Sequence, residues 1–221
     1  MKKVFLSLLG PPGCGKGTQS ALLKTYYNIP HVSIGSLIKK MKNDQSSLGK
    51  EIRTVLKNGK LLSGKNVNYL LGKRFQENDL WNGAIFDATP CTIETANMLS
   101  SVLQQKNQSL TCCVLFQINP ALLYKRVLGR LIHPQSGRIY HRTFKPPKVQ
   151  MRDDITGEAL IQRKDDTKGI LNKRIAQYMK YKEIMENYFQ KKDQLIKIDA
   201  SLPPNVVFEK IISSVSLALK K

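Results

Sequence analysis

The segment Gly10-Pro-Pro-Gly-Cys-Gly-Lys-Gly-Thr18 constrains this chain more than any other part of it. Its glycine spacing is that of a phosphate-binding loop, with Gly17 set between Lys16 and the hydroxyl of Thr18. Glycine lets the backbone wrap closely around phosphate, so that successive N–H groups point inward. A helix starting there adds positive potential, and a lysine at this position reaches the outer phosphates of a bound nucleotide. The context agrees. The apolar run Val4-Phe5-Leu6-Ser7-Leu8-Leu9 reads as a buried strand, and a helical pattern follows over 18–27.

The rest of the chain repeats that alternation. Short apolar runs at 31–33, 84–87, 112–118 and 195–199 read as strands. Helical stretches are expected at 36–42, 48–57, 66–76, 92–105, 120–130, 167–190 and 204–219. In the longest, Leu171, Ile175, Tyr178, Met179 and Met185 recur at helical spacing. Strands apolar on both faces, alternating with helices, predict an α/β fold: a five-stranded parallel sheet in a three-layer arrangement, with ligand at the carboxyl ends of the strands. A length of 221 residues suits one domain. Segment 131–166 is polar, rich in Gly and Pro and without evident regular structure, which predicts a functional lid.

Composition narrows the partners. The net charge of +20, from 36 basic and 16 acidic residues, favours anions. The lysines are spread along the whole chain without a compact basic block, so nucleic acid is not expected as a partner. No apolar run approaches the roughly 20 residues a membrane-spanning helix needs, and no membrane is expected. Lys2-Lys3 and the first apolar run could be read as a short signal peptide. The run is short, however, and no small-residue cleavage site separates it from the glycine loop, so a buried strand and a cytoplasmic protein are expected, with the mitochondrion left open. The cysteines at 14, 91, 112 and 113 show no metal or redox spacing and are expected to be reduced, with Cys112 and Cys113 on opposite faces of their strand.

The Gly-Lys-Gly-Thr-Gln form of the loop, together with RLIHPQSGRIYHRTFKPPK and DDITGEALIQRKDD in the insert, resembles the adenylate kinase family along essentially the whole chain. The resemblance implies Mg²⁺-dependent phosphoryl transfer, ATP + AMP ⇌ 2 ADP, by a monomer. It implies a core at 1–32, 65–130 and 167–221, an acceptor-binding part at 33–64 and a lid at 131–166. Gly13, Cys14, Gly15, Lys16, Gly17 and Thr18 would then hold the donor phosphates. Arg126 would pack on the donor base, which the main chain at Leu202 also touches, and Arg130 would clamp the donor phosphates. Arg138, Ile139 and Tyr140 would line the donor from the lid. Arg163 and Arg174 would bridge donor and acceptor phosphates, a task suited to the planar guanidinium fork. Lys16, Arg130, Arg163 and Arg174 form the expected catalytic set. Asp87, at a strand end, would help hold Mg²⁺ through water. His133, Ser136, Asp153 and Thr156 stand where some members carry four zinc-binding cysteines. This set makes a poor zinc site, so a hydrogen-bonded staple without zinc is expected.

The acceptor side departs from the family pattern. The usual Thr-Gly-Asp is Ile34-Gly35-Ser36, the following arginine is Lys39, and Asp-Gly-Phe-Pro-Arg is Asp87-Ala88-Thr89-Pro90-Cys91. The adenine-reading glutamine is Thr95. Lys60, Leu61 and Leu62 complete the degenerate acceptor set. Losing one partner of a buried charge-assisted pair costs about 2–5 kcal/mol, so weakened acceptor binding is expected. The intact donor side favours an active nucleoside monophosphate kinase. The alternative is an ATP-binding, catalytically impaired regulatory or interaction protein on the same scaffold.

Overall fold

The computed structural model describes residues 3–41, 44–57 and 63–220. Five strands form one parallel sheet: β1 (Val4–Leu9), β2 (His31–Ser33), β3 (Gly83–Asp87), β4 (Cys112–Gln117) and, near the end of the chain, β7 (Leu195–Asp199). Their order is β2-β3-β1-β4-β7, which places β1 in the middle. The expected α/β fold with a five-stranded parallel sheet is present.

Burial on both faces explains the near-continuous apolar strands. Phe5 and Leu9 of β1 join Phe86, Leu99, Leu115 and Met185 on one face. Leu6 and Leu8 join Leu23, Val114, Ile198 and Ile211 on the other. Cys112 and Cys113 divide between the two cores, as strand alternation requires.

The helices are α1 (Lys16–Tyr27), α2 (Ile34–Lys40), α3 (Ser47–Lys57), α4 (Gly64–Phe75), α5 (Ile93–Gln104), α6 (Pro120–Leu128), α7 (Lys168–Lys191) and α8 (Pro204–Ala218). Several begin on side-chain caps. Ser63 accepts from Asn66 N–H, Asn119 from Ala121 N–H and Thr167 from Ile170 N–H, each satisfying one of the orphan donors of a helix start.

Three features differ from expectation. Helix α6 stops at Leu128, so Arg130 opens a strand instead of closing a helix. Segment 131–166 is not without regular structure. Strands β5 (Arg130–Ile132) and β6 (Ile139–His141) pair antiparallel there around a small core of Leu131, Tyr140 and Leu160. Three-residue strands are too short to show a period, so only their pairing reveals them. On α7, Leu171, Tyr178, Met185 and Phe189 are buried, whereas Met179 is 57% exposed. One residue on from Tyr178 is 100° round the helix, off the buried stripe.

Candidate active site

The glycine loop leaves the end of β1 and turns into α1 at the carboxyl end of the sheet. Gly13 and Gly15 take left-handed φ values of 88° and 108°. A side chain on Gly13 would overlap Val127 of α6, so this position needs glycine for space as well as for conformation. Lys16 folds back over the loop, its Nζ donating to the carbonyls of Gly10 at 2.7 Å and Pro11 at 3.0 Å. Cys14 is buried beneath it, 3.6 Å from that ammonium. Thr18 stands exposed at the start of α1. The Lys16 ammonium thus lies on the loop that leads into α1, whose start carries no side-chain cap, an arrangement that suits a phosphate.

Beside the loop lies the segment after β7. Arg126, from α6, donates to the carbonyls of Ala200 at 2.7 Å and Ser201 at 3.4 Å, and reaches Cys14 O at 3.5 Å. Burial lowers its pKa. Leu202 packs on the adjoining core. Gln19, buried on α1, donates to Pro204 O at 2.8 Å, while its Oε1 takes no hydrogen bond among the described residues. Two side chains thus tie the 200–204 segment to the phosphate loop. The sequence reading took Gln19 only as part of the loop motif, because its partner Pro204 lies far off in the chain.

The remaining arginines are held by carboxylates. Arg130 grips buried Asp166 with both Nε and Nη2. Arg138 does the same to Asp153, at 2.9 and 2.6 Å. Arg163 and Arg174 share Asp165, Arg163 Nε at 3.0 Å and Arg174 Nη1 at 3.1 Å. Burial pushes the Asp165 carboxyl up, but the two guanidiniums outweigh it and leave the group below its usual range. Arg174 is lowered by burial. A phosphate entering between Arg163 and Arg174 would compete with one carboxylate for two forks.

On the opposite side, β2 runs into α2. Ile34 packs against the first core, Gly35 is exposed, and Lys39 lies on α2. Asp87, at the end of β3, has Oδ2 3.4 Å from His31 Nε2. Its buried Oδ1 has no hydrogen-bond partner among the described residues. Ala88 follows with φ +54°. Cys91 is partly buried, and desolvation raises its thiol pKa. Thr95 is buried, its N–H and hydroxyl both bonded to Thr92 at the start of α5. Tyr181 of α7 is pushed up to about 12, first by burial, with Cys91, Cys14 and Asp87 adding to the effect. No sequence signal singled out that tyrosine. Lys60, Leu61 and Leu62 lie outside the described residues.

In the lid segment, His133 bonds Ser136 Oγ through Nδ1 at 2.7 Å and Glu158 Oε2 through Nε2 at 2.5 Å. Thr156 donates to Asp153 Oδ2 at 3.0 Å. The four residues expected as a staple are joined by hydrogen bonds, with Glu158 and Arg138 as further members. Tyr140 is 4% exposed and donates to Asp153 Oδ1 at 3.0 Å, so its ring belongs to the small core with Leu131 and Leu160. Ile139 is 40% exposed.

The chain is similar to known proteins along most of its length. The family model described as "Adenylate kinase" matches residues 8–194. "Adenylate kinase 2" of Schistosoma mansoni is 38% identical over 210 residues, covering 95% of this chain and 88% of the relative. An "Adenylate kinase" of Talaromyces marneffei is 40% identical over 206 residues, covering 93% of this chain and 76% of the relative. An "Adenylate kinase" of Kluyveromyces lactis is 37% identical over 212 residues, covering 96% and 93%.

Proposed function

The chain belongs to the adenylate kinase family, and from that premise we propose that it transfers the γ-phosphoryl group of ATP to AMP or a related monophosphate, with weakened grip on the acceptor. It is a phosphotransferase of the nucleoside monophosphate kinase class. The observation that carries the finer reading is the contrast between its two sides. The donor side has a complete phosphate loop with Lys16 seated in it, and Arg126 and Gln19 holding the 200–204 segment. The acceptor side has Cys91, Ile34 and a self-capped Thr95 where its family carries an arginine, a threonine and a glutamine.

Phosphoryl transfer through a loose transition state asks for positioning and positive charge more than for a covalent nucleophile. In this reading Gly13, Cys14, Gly15, Lys16, Gly17 and Thr18 cradle the donor phosphates. Arg126 and the main chain at Leu202 seat the base. Arg130 and Arg138 grip the donor, while Arg163 and Arg174 exchange Asp165 for the phosphate in flight. Segment 131–166 acts as the lid that excludes water, and 33–64 forms the acceptor-binding part with Gly35, Lys39 and the 60–62 stretch. The donor set also fits Mg²⁺. Asp87 presents a buried oxygen without a hydrogen-bond partner among the described residues, suited to hold the ion through water. When bound, Mg²⁺ neutralises charge on the β and γ oxygens.

The self-bonded Thr92–Thr95 pair favours a second reading, an ATP-binding protein with little transfer. A coupled assay of ADP formation from ATP·Mg²⁺, across a panel of nucleoside monophosphates, separates the two. Acceptor-dependent turnover that disappears in Lys16→Ala supports the kinase. ATP binding without turnover above that control replaces it by the scaffold reading.

A further inference from the structure

The end of the sheet opposite the phosphate loop collects the amino termini of the strands. Trp81, the single tryptophan of the chain, precedes β3 there and is 54% exposed. Lys3 and Lys106 stand over its ring, with Nζ 5.6 and 5.2 Å from the centroid. Next to them is a shallow depression lined by Lys3, Gln108, Thr111, Lys192 and Leu219. Lys192 covers Tyr188 at 4.6 Å. Leu217, at the end of α8, is 65% exposed. Along β3-β1-β4-β7 these groups spread over three interstrand spacings, roughly 14 Å. The charge is one-sided. Lys191 ends α7 and Lys220 follows α8 on the same side, while Glu77 and Asp79 are engaged by Arg74 at 3.2 and 2.6 Å. Asp193 is the other carboxylate of these loops among the described residues.

We propose that this end of the molecule docks on an anionic phospholipid bilayer, with Trp81 and Leu217 entering the headgroup region between Lys3, Lys106, Lys192 and Lys220. Indole is favoured at a membrane interface because its body is apolar and its N–H stays wet. Lysine stems cover apolar surface while the ammonium reaches lipid phosphate. Apolar insertion and anionic attraction together give reversible interfacial binding, which neither supplies well alone. Nucleic acid fits less well. The cations of these loops are all lysines, without the guanidinium fork that grips phosphate and base edges, and a protruding Leu217 has no use on a phosphate backbone. No helix among the described residues is long and apolar enough to cross a bilayer, so the contact is peripheral. The phosphate loop lies at the other end of β1, so the docked protein keeps its active site open to solvent. The inference does not depend on the acceptor.

Because Trp81 is the only tryptophan, its fluorescence reports the contact directly. The full chain is mixed with vesicles of phosphatidylserine and phosphatidylcholine, or of phosphatidylcholine alone. The expected result is a blue shift of Trp81 emission, and quenching by brominated acyl chains, with the anionic vesicles only. Lys3→Glu combined with Lys192→Glu should weaken binding at least tenfold, since a surface lysine contributes roughly fivefold, with ADP formation unchanged. Lys148→Glu, at the lid end, should change it less than twofold. Vesicle binding with no blue shift or quenching overturns the proposal in favour of diffuse charge, and so does an equal loss in Lys148→Glu. If single-stranded RNA displaces the vesicles and quenches Trp81 at lower concentration than lipid binds, the surface belongs to nucleic acid and the proposal fails.

Discussion

Thr92 donates its hydroxyl proton to Thr95 Oγ1 at 3.0 Å and accepts the Thr95 N–H at 3.1 Å. The first turn of α5 is thereby capped from within, and the hydroxyl of Thr95 is engaged by its own helix. A long amide at position 95 could both leave that cap and reach a bound base. Cys91, nearby, offers a desolvated neutral thiol where a charged fork would grip phosphate. The double variant Cys91→Arg/Thr95→Gln should therefore lower KM for AMP by roughly thirtyfold, about 2 kcal/mol of charge-assisted binding. Its KM for ATP should not move. Steady-state kinetics with each nucleotide varied in turn check this, and an unchanged KM for AMP would rule out Cys91 and Thr95 as limits on acceptor binding.

Gln19 has the opposite signature. Its hydrogen bond to Pro204 O joins α1 to the segment on which Arg126 also closes. Gln19→Ala removes one neutral hydrogen bond, worth about 0.5–1.5 kcal/mol. KM for ATP should rise by about twofold to thirteenfold while KM for AMP stays constant. Equal changes in both would mean that the residue supports the fold at large and not the donor side.

Ala88 sits at φ +54° directly after β3. An L side chain in that left-handed region costs about 1–2 kcal/mol, which glycine avoids at the expense of about 0.4–1 kcal/mol of unfolded-state entropy. Ala88→Gly should raise stability by about 0.5–1 kcal/mol. The check is the urea midpoint, which should increase with the slope unchanged. A midpoint at or below that of the parent would rule out relieved strain.

Asp153 links segment 131–166 to acid. The hydrogen-bonded Arg138 fork, with Thr156 and Tyr140 assisting, holds its carboxyl far below the ordinary aspartate range. A depressed folded-state pKa stabilises above the unfolded value of about 3.9 and loses that contribution as pH falls through the folded value. Asp153→Asn should accordingly loosen the lid at neutral pH. Its difference from the parent should shrink below about pH 4. Hydrogen exchange at the lid amides, followed over pH, would refute this if the difference were constant.

Much of the fold was readable because its signals are local. The strands buried on both faces are contiguous apolar runs, and the caps at Ser63, Thr92, Asn119 and Thr167 lie within three residues of the N–H groups they serve. The β5–β6 pair escaped because its strands are three residues each. Met179 was misplaced because a helical stripe read from spacing has soft edges.

The site divides along the same line. The phosphate loop is one continuous segment whose glycines and lysine follow one another along the chain, so its pattern is legible from spacing alone. The arginines are separate residues in the sequence, and that Arg163 and Arg174 meet on Asp165 is visible only in space. Gln19 and Pro204 are 185 residues apart, and Lys3, Trp81 and Lys106 gather only because the parallel sheet brings the strands' amino termini to one end. Backbone turns and helix starts depend on neighbours along the chain. Hydrogen bonds between distant side chains, and the faces that strand ends share, depend on how the layers pack.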